Sequence, residues 1–234
     1  MLKKEEEMQI KIISKTSNPQ EVIYRAIRQC YSKYSADEIE LPDDDKQKKL
    51  IRKVLDSGHT SPIEHVSYTF SIQGVSRALT HQLVRHRIAS YSQQSQRYVQ
   101  DQEMDYVKPP SIRRSDLDDY FDSVMSVAYD AYHAMISSGV PEEDARYVLP
   151  NASTSKITVT MNCRSLLNFF ELRCCDRAQW EIRNLAWFML YMLREDLPVV
   201  FLGAGPKCES LKYCPEGLQF TCGRYFLTRE AVMK

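Results

Sequence analysis

The sequence predicts a mixed α+β domain in which strands and helices follow one another irregularly. Residues 8–16, 64–74 and 155–162 alternate apolar with polar side chains, which is typical of half-buried strands. The segments between and after them carry apolar residues at helical spacing. Because strands and helices do not alternate regularly, the pattern favours an α+β sheet with flanking helices over a doubly wound sheet.

Three helices are predicted in the first half of the chain. Asn18 is expected to cap the first helix, with Pro19 in its opening turn. The stretch "DDDKQKKLIRKVLDSG" predicts a second helix that opens on acidic residues and ends at Gly58. The stretch "SRALTHQLVRHR" has helical spacing, and the polar residues after it predict a loop.

Four more helices are predicted in the second half. The stretch "SDLDDYFDSVMSVAYDAYHAMISSG" begins with a serine cap, and "PEEDARYVLP" is a short helix bounded by prolines. Two further helices lie in "CRSLLNFFELRCC" and "AQWEIRNLAWFMLYMLRED". The chain after Pro198 is rich in Gly, Pro and Cys and predicts loops, so we divide the chain into a domain at 1–200 and a cysteine-containing tail at 201–234.

Composition excludes several classes of protein. The 31 basic residues balance the 31 acidic ones, which argues against a protein that coats nucleic acid or an anionic membrane. The longest apolar run, residues 185–193, is too short to span a bilayer, and the first residues lack an apolar signal core. Seven scattered cysteines indicate reduced thiols in a cytoplasmic protein.

Residues 85–98, "RHRIASYSQQSQRY", hold cationic and hydrogen-bonding side chains without any acid. One interpretation is a solvated basic loop. The other is a binding segment, since arginine presents a planar fork of donors that matches phosphate and carboxylate oxygens. Serine and glutamine suit a base edge or a ribose, so the combination favours a phosphorylated heterocyclic ligand.

Further arginines lie in structured contexts at Arg146, Arg164 and Arg173. The last two are nine residues apart, which places them on opposite faces of a helix, with Asn168 nearer the face of Arg164. They therefore suit two different ligands or a neighbouring subunit. The alternative is that these arginines pair only with nearby acids, namely Glu171, Asp176 and Glu181.

No metal site is predicted. His59 and His65 are six residues apart with no third ligand nearby, and Cys208, Cys214 and Cys222 form no CxxC pair. The sequence also lacks a nucleophile elbow, a P-loop and a GxGxxG fingerprint. Any nucleotide cofactor is therefore expected to be held by side chains.

Several motifs together resemble one enzyme family. Arg85-His86-Arg87, followed by seven residues and Ser95, matches the RHR-x7-S signature of flavin-dependent thymidylate synthases. From "AIRQCY" to about Asp196, the motifs "TSPIEH", "SGVPEEDARYVLP", "NCRSLLNFFELR" and "AQWEIR" occur in the family's order. The chain therefore resembles a member of this family over most of its length.

The resemblance implies the thymidylate synthase-complementing fold, with a largely antiparallel sheet, and places flavin and dUMP binding within residues 1–200. It implies reductive methylation of dUMP to dTMP, with 5,10-methylenetetrahydrofolate as one-carbon donor, NADPH as reductant and FAD as hydride carrier. It also implies a homotetramer with active sites at subunit interfaces. Two alternatives are a flavoprotein NAD(P)H oxidase of this fold without methylation, and a single-stranded nucleic-acid binder, which the neutral charge disfavours.

Site residues follow from the resemblance position by position. FAD contacts are expected from His59, Ser61, Arg85, His86, Arg87, Gln93, Asn162, Arg164 and Asn168. The dUMP site is expected to include Gln82, Arg85, Gln93, Gln94, Ser95, Gln96, Arg97, Arg146 and Arg173. Of these, Arg173 is the expected catalytic residue, because it resembles the arginine beside the pyrimidine ring.

The chain departs from the family pattern at three positions. Many relatives carry Asn in place of Ser92, Glu in place of Gln93 and His in place of Arg177. The only Cys/Pro neighbours, Cys214-Pro215, stand in the reverse order to the cysteine motif of the unrelated classical enzymes. We therefore hypothesise that no enzyme nucleophile is needed and that Arg173 stabilises the negatively polarised pyrimidine. Ser95 is expected to position the substrate.

Overall fold

The structure, a computed structural model, describes residues 8–98 and 105–227. Its sheet has four strands in the order β1-β2-β4-β3 and is antiparallel. This confirms the predicted α+β class and the largely antiparallel sheet. The strands are β1 (Gln9–Lys15), β2 (Ser67–Ser76), β3 (Ser90–Gln93) and β4 (Thr154–Asn162).

The predicted helices are all present, and some short ones were not expected. Two 3-10 helices, Ser61–His65 and Arg146–Val148, precede β2 and β4. The α-helices are α1 (Pro19–Gln29), α2 (Asp44–Asp56), α3 (Arg77–Leu83), α4 (Pro110–Arg113), α5 (Asp118–Ser137), α6 (Glu142–Ala145), α7 (Cys163–Arg173), α8 (Trp180–Asp196), α9 (Pro198–Phe201) and α10 (Lys207–Leu211).

The described chain forms two compact units. The first unit contains residues 8–11, 71–85, 91–98 and 105–159, and the second contains residues 12–70, 86–90 and 160–227. All four strands contribute residues to both units. The boundary after residue 200 that composition predicted remains a prediction.

The second unit is built around an aromatic core. Tyr68, Phe70, Phe169, Phe170 and Phe201 are fully buried. Ring centroids of Tyr68 and Phe201 lie 6.4 Å apart, and those of Phe170 and Phe201 lie 6.1 Å apart. Burying rings of this size stabilises the unit by roughly 2 kcal/mol for each side chain. The core therefore gives α7 a rigid base.

The first unit packs α5 against α4, α6 and the 3-10 helix that follows α6. Met125, Tyr129 and Tyr132 form the buried face of α5. Beside it the nearly buried ammonium of Lys108 donates to Asp118 at 2.5 Å and forms an ion pair with Asp122 at 2.7 Å. Two carboxylates around one ammonium compensate for its loss of hydration.

Neither of the two predicted side-chain caps, at Asn18 and Ser115, is formed. Asn18 occupies the N-cap position of α1, but it adopts a left-handed conformation at φ 47° and makes no side-chain cap. Asparagine tolerates this conformation better than most residues. Ser115 lies outside α5, whose N-cap position is Leu117. For α2 the acidic opening is confirmed, since Asp43 accepts the N–H of Lys46 at 2.9 Å.

The two segments predicted as loops contain short elements. Residues 90–93 of the polar stretch form β3. The tail contains α10, which packs on α7, and the N–H of Cys214 bonds to the carbonyl of Phe226 at 2.6 Å. All seven cysteines are free thiols. In the part of the chain described, no helix has the length and hydropathy needed to cross a bilayer.

Candidate functional site

Arg173 and His86 form a pair at the carboxyl end of α7. The ring of His86 meets the buried ring of Phe169 edge to face, with centroids 4.9 Å apart. The Nε–H of Arg173 donates to Nε2 of His86 at 3.0 Å. Nε2 therefore offers a lone pair, so His86 is neutral and carries its proton on Nδ1.

The electrostatics of the pair follow from burial. Burial and, to a smaller extent, the positive charge of Arg173 together lower the pKa of His86 to about 4. Burial also lowers the pKa of Arg173, whose guanidinium nevertheless stays charged at neutral pH. With Nε committed to His86, the two terminal amino groups have no protein partner among the described residues. They are the groups that an electron-rich ring would meet.

The amino end of α7 contains three further predicted residues. Asn162 is the helix cap, since its side chain accepts the N–H of Ser165 at 2.9 Å. This is a structural role that the sequence analysis did not assign. Arg164 forms an ion pair with Glu64, and Asn168 is exposed. Both side chains lie on the surface of the second unit.

The loop before β2 joins the same unit. Ser61 is exposed and begins the 3-10 helix Ser61–His65, which packs on α7. His59 is exposed, and its backbone N–H bonds to the carbonyl of Val54 at 3.2 Å. Arg87 is exposed as well. The second unit thus contains eight predicted residues: His59, Ser61, His86, Arg87, Asn162, Arg164, Asn168 and Arg173.

The remaining predicted residues belong to the first unit. Helix α3 is capped by the hydroxyl of Ser76, which accepts the N–H of Leu79 at 3.0 Å. The helix ends at Leu83, so the exposed Arg85 follows its last turn, and the half-buried Gln82 lies within it. The predicted residues of this unit are Gln82, Arg85, Gln93, Gln94, Ser95, Gln96, Arg97 and Arg146.

Gln93 is held by two hydroxyl groups. Its Nε2 donates to Oγ1 of Thr80 at 2.9 Å and to Oγ of Ser155 at 3.1 Å. Thr80 and Ser155 are buried. The next residue, Gln94, donates its backbone N–H to the carbonyl of Lys156 at 2.9 Å. This segment is therefore fixed along β4 by both backbone and side chain.

Two arginines of the expected dUMP site, Arg97 and Arg146, share one acidic residue. Arg97 donates through Nε to Glu143 at 3.0 Å and pairs with the same carboxylate through Nη2 at 2.7 Å. Arg146 donates through Nε to the backbone carbonyl of Glu143 at 3.0 Å. The guanidinium of Arg97 also lies 5.4 Å from the ring centroid of Tyr98. Both arginines are thus oriented on one surface of the first unit.

No metal centre emerges from the described residues, and the two thiols at the ends of α7 are poorly suited as nucleophiles. No group of three or more His, Cys, Asp or Glu side chains among them is placed to hold a metal ion. Burial raises the pKa of the Cys163 thiol, and it raises that of Cys174 to about 12. Because the thiolate is the nucleophilic form, neither is suited to attack a substrate near neutral pH.

A recess along α2 has no connection with these residues. Its lining consists of Asp45, Lys48, Lys49, Arg52, Lys53 and Asp56. All six side chains come from one helix, and no second element closes over them. It is an open surface groove, and none of the predicted site residues lines it.

Comparison with known proteins decides the family. A profile described as "Thymidylate synthase complementing protein" matches residues 11–199. The chain belongs to this family. Family members from Nitratidesulfovibrio vulgaris and Geobacter sulfurreducens, both named flavin-dependent thymidylate synthase, are 52% and 47% identical to it. These alignments cover 94% and 93% of this chain, and 96% and 94% of the relatives.

An archaeal relative and a solved structure match this chain at lower sequence identity. A flavin-dependent thymidylate synthase of Pyrococcus abyssi is 42% identical, with 97% of each chain covered. A solved structure, the UMP/dUMP methylase PolB from Streptomyces cacaoi bound with 5-Br dUMP, superposes with a TM-score of 0.72 at 26% identity. That superposition covers 84% of this chain and 94% of the methylase.

The partners of the site residues were not predicted from the sequence. Arg164 pairs with Glu64 and Arg173 with His86, whereas pairing with acids near them in sequence was the alternative considered. Glu64 lies inside the recognised "TSPIEH" motif, and Glu143 stands three residues before Arg146. That spacing did not signal the ion pair, because Arg146 donates to the backbone carbonyl of Glu143 while the carboxylate pairs with Arg97.

Proposed function

We propose that this protein is a flavin-dependent thymidylate synthase that methylates dUMP to dTMP. The observation that carries the proposal is the Arg173–His86 pair, at the end of α7, in a chain of this family. A guanidinium whose Nε is fixed by a neutral imidazole presents its remaining donors in a defined direction. Such a group can stabilise negative charge that develops on a pyrimidine ring, with an effect of about 3 kcal/mol.

The residues of the second unit fit an anionic dinucleotide. Arg87 is exposed and has no ion partner among the described residues, so it is available to a diphosphate. Asn168 and Ser61 are exposed and add neutral hydrogen-bonding groups. We propose that these residues, with His59, His86, Asn162 and Arg164, hold FAD. When bound, FAD supplies the hydride-carrying redox chemistry of the reaction.

The residues of the first unit fit a nucleotide monophosphate. Arg97 and Arg146 lie around one glutamate, and their charges suit a phosphate group. We propose that they bind the phosphate of dUMP, and that Gln82, Arg85, Gln93, Gln94, Ser95 and Gln96 complete the site. Ser95 accepts the backbone N–H of Arg97 at 3.2 Å, which favours a positioning role for its hydroxyl over nucleophilic attack.

The remaining substrates and the assembly belong to the same proposal. We propose 5,10-methylenetetrahydrofolate as the one-carbon donor and NADPH as the reductant. We also propose a homotetramer whose active sites lie at subunit interfaces. The position of Arg164 and Arg173 nine residues apart on α7 supports this arrangement, because a ligand between subunits can reach either face of a helix.

The test is the visible spectrum of the purified protein, followed by assay of its products. A bound flavin absorption that bleaches with NADPH, together with dTMP formed from dUMP and the folate, is the expected result. Protein that contains no flavin and takes none up would overturn the proposal. Flavin that is reduced by NADPH without any dTMP would favour the oxidase alternative.

A further inference from the structure

The side chain of Gln93 takes part in a hydrogen-bond network with a fixed direction. Thr80 is fully buried, and its hydroxyl donates to the backbone carbonyl of Arg77 at 3.0 Å. Nε2 of Gln93 approaches the same hydroxyl oxygen at 2.9 Å and the hydroxyl of Ser155 at 3.1 Å. Ser155 is 4% exposed, so water does not compete freely for these bonds.

Proton accounting determines which end of the amide faces the hydroxyls. A threonine hydroxyl has one proton, and here that proton goes to the carbonyl of Arg77. Toward Gln93, Thr80 can therefore only accept, which requires the amide nitrogen at that position. The two N–H groups of Nε2 are then used by Thr80 and Ser155. Its Oε1 receives no hydrogen bond from the described residues.

We propose that Thr80 and Ser155 are positioning residues that fix the amide of Gln93, so that residue 93 offers the nucleotide a neutral acceptor and no donor. The group of dUMP that faces Gln93 must then be a donor, either the deoxyribose hydroxyl or the pyrimidine N–H. This inference rests on the proposed function and specifies how one residue of its substrate site recognises the ligand.

The same network explains why glutamine suits this chain at position 93. An ionised carboxylate cannot donate to Thr80, so Gln93→Glu would require Thr80 to turn its proton away from Arg77. The carbonyl of Arg77 would lose that bond beside a buried side chain. Because the hydroxyl of Thr80 can only accept from residue 93, it favours the amide of glutamine over a carboxylate. The amide then presents an acceptor to the substrate.

The experiment measures the Kd of dUMP for FAD-loaded protein, together with KM and kcat. Thr80→Val keeps the shape of the side chain and removes its hydroxyl, whereas Thr80→Ser keeps the hydroxyl and is the matched control. We expect Thr80→Val to raise the Kd and KM of dUMP about tenfold with kcat at saturation nearly unchanged. Thr80→Ser should stay within about threefold of the parent. In a Gln93→Ala background, Thr80→Val should add nothing further.

A substrate analogue and a second variant distinguish the possible outcomes. Dideoxyuridine monophosphate lacks the sugar hydroxyl, so its Kd should not respond to Thr80→Val if that hydroxyl is the donor, and should respond if the donor is the pyrimidine N–H. If Thr80→Val does not fold, Ser155→Ala serves in its place with the same cycle. An unchanged Kd, or an equal rise in the Gln93→Ala background, overturns the inference. A parent protein that binds no dUMP overturns the proposed function itself.

Discussion

The Nε–H of Arg173 donates to Nε2 of His86 across 3.0 Å, a bond that requires the neutral form of His86. The ring of Phe169 packs edge to face against the imidazole of His86. His86, which is distant in sequence, and Phe169 of α7 thus orient the guanidinium of Arg173. Because its terminal amino groups remain available, the orientation of Arg173 is coupled to the protonation state of His86.

Arg173→Lys is expected to lower turnover by at least about a hundredfold while leaving the protein folded and able to bind flavin. Lysine keeps the positive charge but lacks the Nε–H and the planar fork, so it cannot contact His86 and the substrate together. Formation of dTMP measures the effect. Arg28→Ala, at an exposed position of α1, is the control and should retain the parent's rate. Near-normal turnover in Arg173→Lys would refute the catalytic assignment.

His86 should make the stability of the protein depend on pH. Its pKa falls from 6.5 to about 4 in the folded chain, so the unfolded chain binds more protons between these values. The free energy of unfolding should therefore decrease as the pH falls from about 6.5 to about 4, with the contribution of neutral His86 fully present above this range. Urea denaturation at a series of pH values measures the slope.

The matched variant for this slope is His86→Gln. Glutamine can accept from Arg173 through its carbonyl oxygen but does not titrate, so the dependence between pH 4 and 6.5 should become shallower. His65→Gln removes an exposed histidine from the same unit and should leave the parent's slope in place. Identical slopes in the parent and His86→Gln would contradict the coupling.

Asn162 is expected to contribute to stability through its cap on α7. Asn162→Ala removes the acceptor for the N–H of Ser165 and should lower the free energy of unfolding by about 1 kcal/mol. Asn162→Ser keeps a capping oxygen and should restore most of that loss. If FAD affinity falls in the serine variant while stability returns, the side chain also contacts the cofactor. No change in stability in Asn162→Ala would show that the cap is dispensable.

Arg177 is expected to hold the tail to the segment that follows α7. Its guanidinium pairs with Glu216 and lies 4.2 Å from the ring centroid of Phe220. Arg177→Ala removes both contacts and should accelerate limited proteolysis within residues 212–227 several-fold. Lys46→Ala removes a surface ion pair of α2 and should leave the cleavage rate unchanged. Equal cleavage of parent and Arg177→Ala would exclude this role.

The sequence allowed prediction of elements whose signals are local. Strand β1 follows from alternation, and α2 follows from its acidic opening turn and from Gly58, which has a φ of 86°. Strand β3 was missed because its four residues, "SYSQ", carry no apolar alternation. It exists because the next residue, Gln94, pairs with Lys156 far along the chain. Pairing of this kind depends on the tertiary fold.

In the candidate site, too, the sequence did not predict contacts between residues that are distant in the chain. The motif identified Arg97, Arg164 and Gln93, but their partners lie 46, 100 and 13 residues away in the sequence. Contacts between residues this far apart cannot be predicted from spacing along the chain. The sequence therefore predicted only acids close in sequence as partners of the arginines. It did not predict the hydrogen bonds of Gln93 to Thr80 and Ser155.

The buried thiols of Cys163 and Cys174, at the two ends of α7, can report when this helix opens. Cys163 is its first residue and Cys174 follows Arg173, and each donates its backbone N–H within the unit, to Val66 and Phe170 respectively. A maleimide reagent needs a solvent-accessible thiolate, which the packed helix denies it. The exposed Cys30 and Cys222 react without any opening, so only the slower labelling at Cys163 and Cys174 reports how often α7 opens beneath Arg173. The native chain therefore carries, without any engineered label, two probes of the integrity of α7.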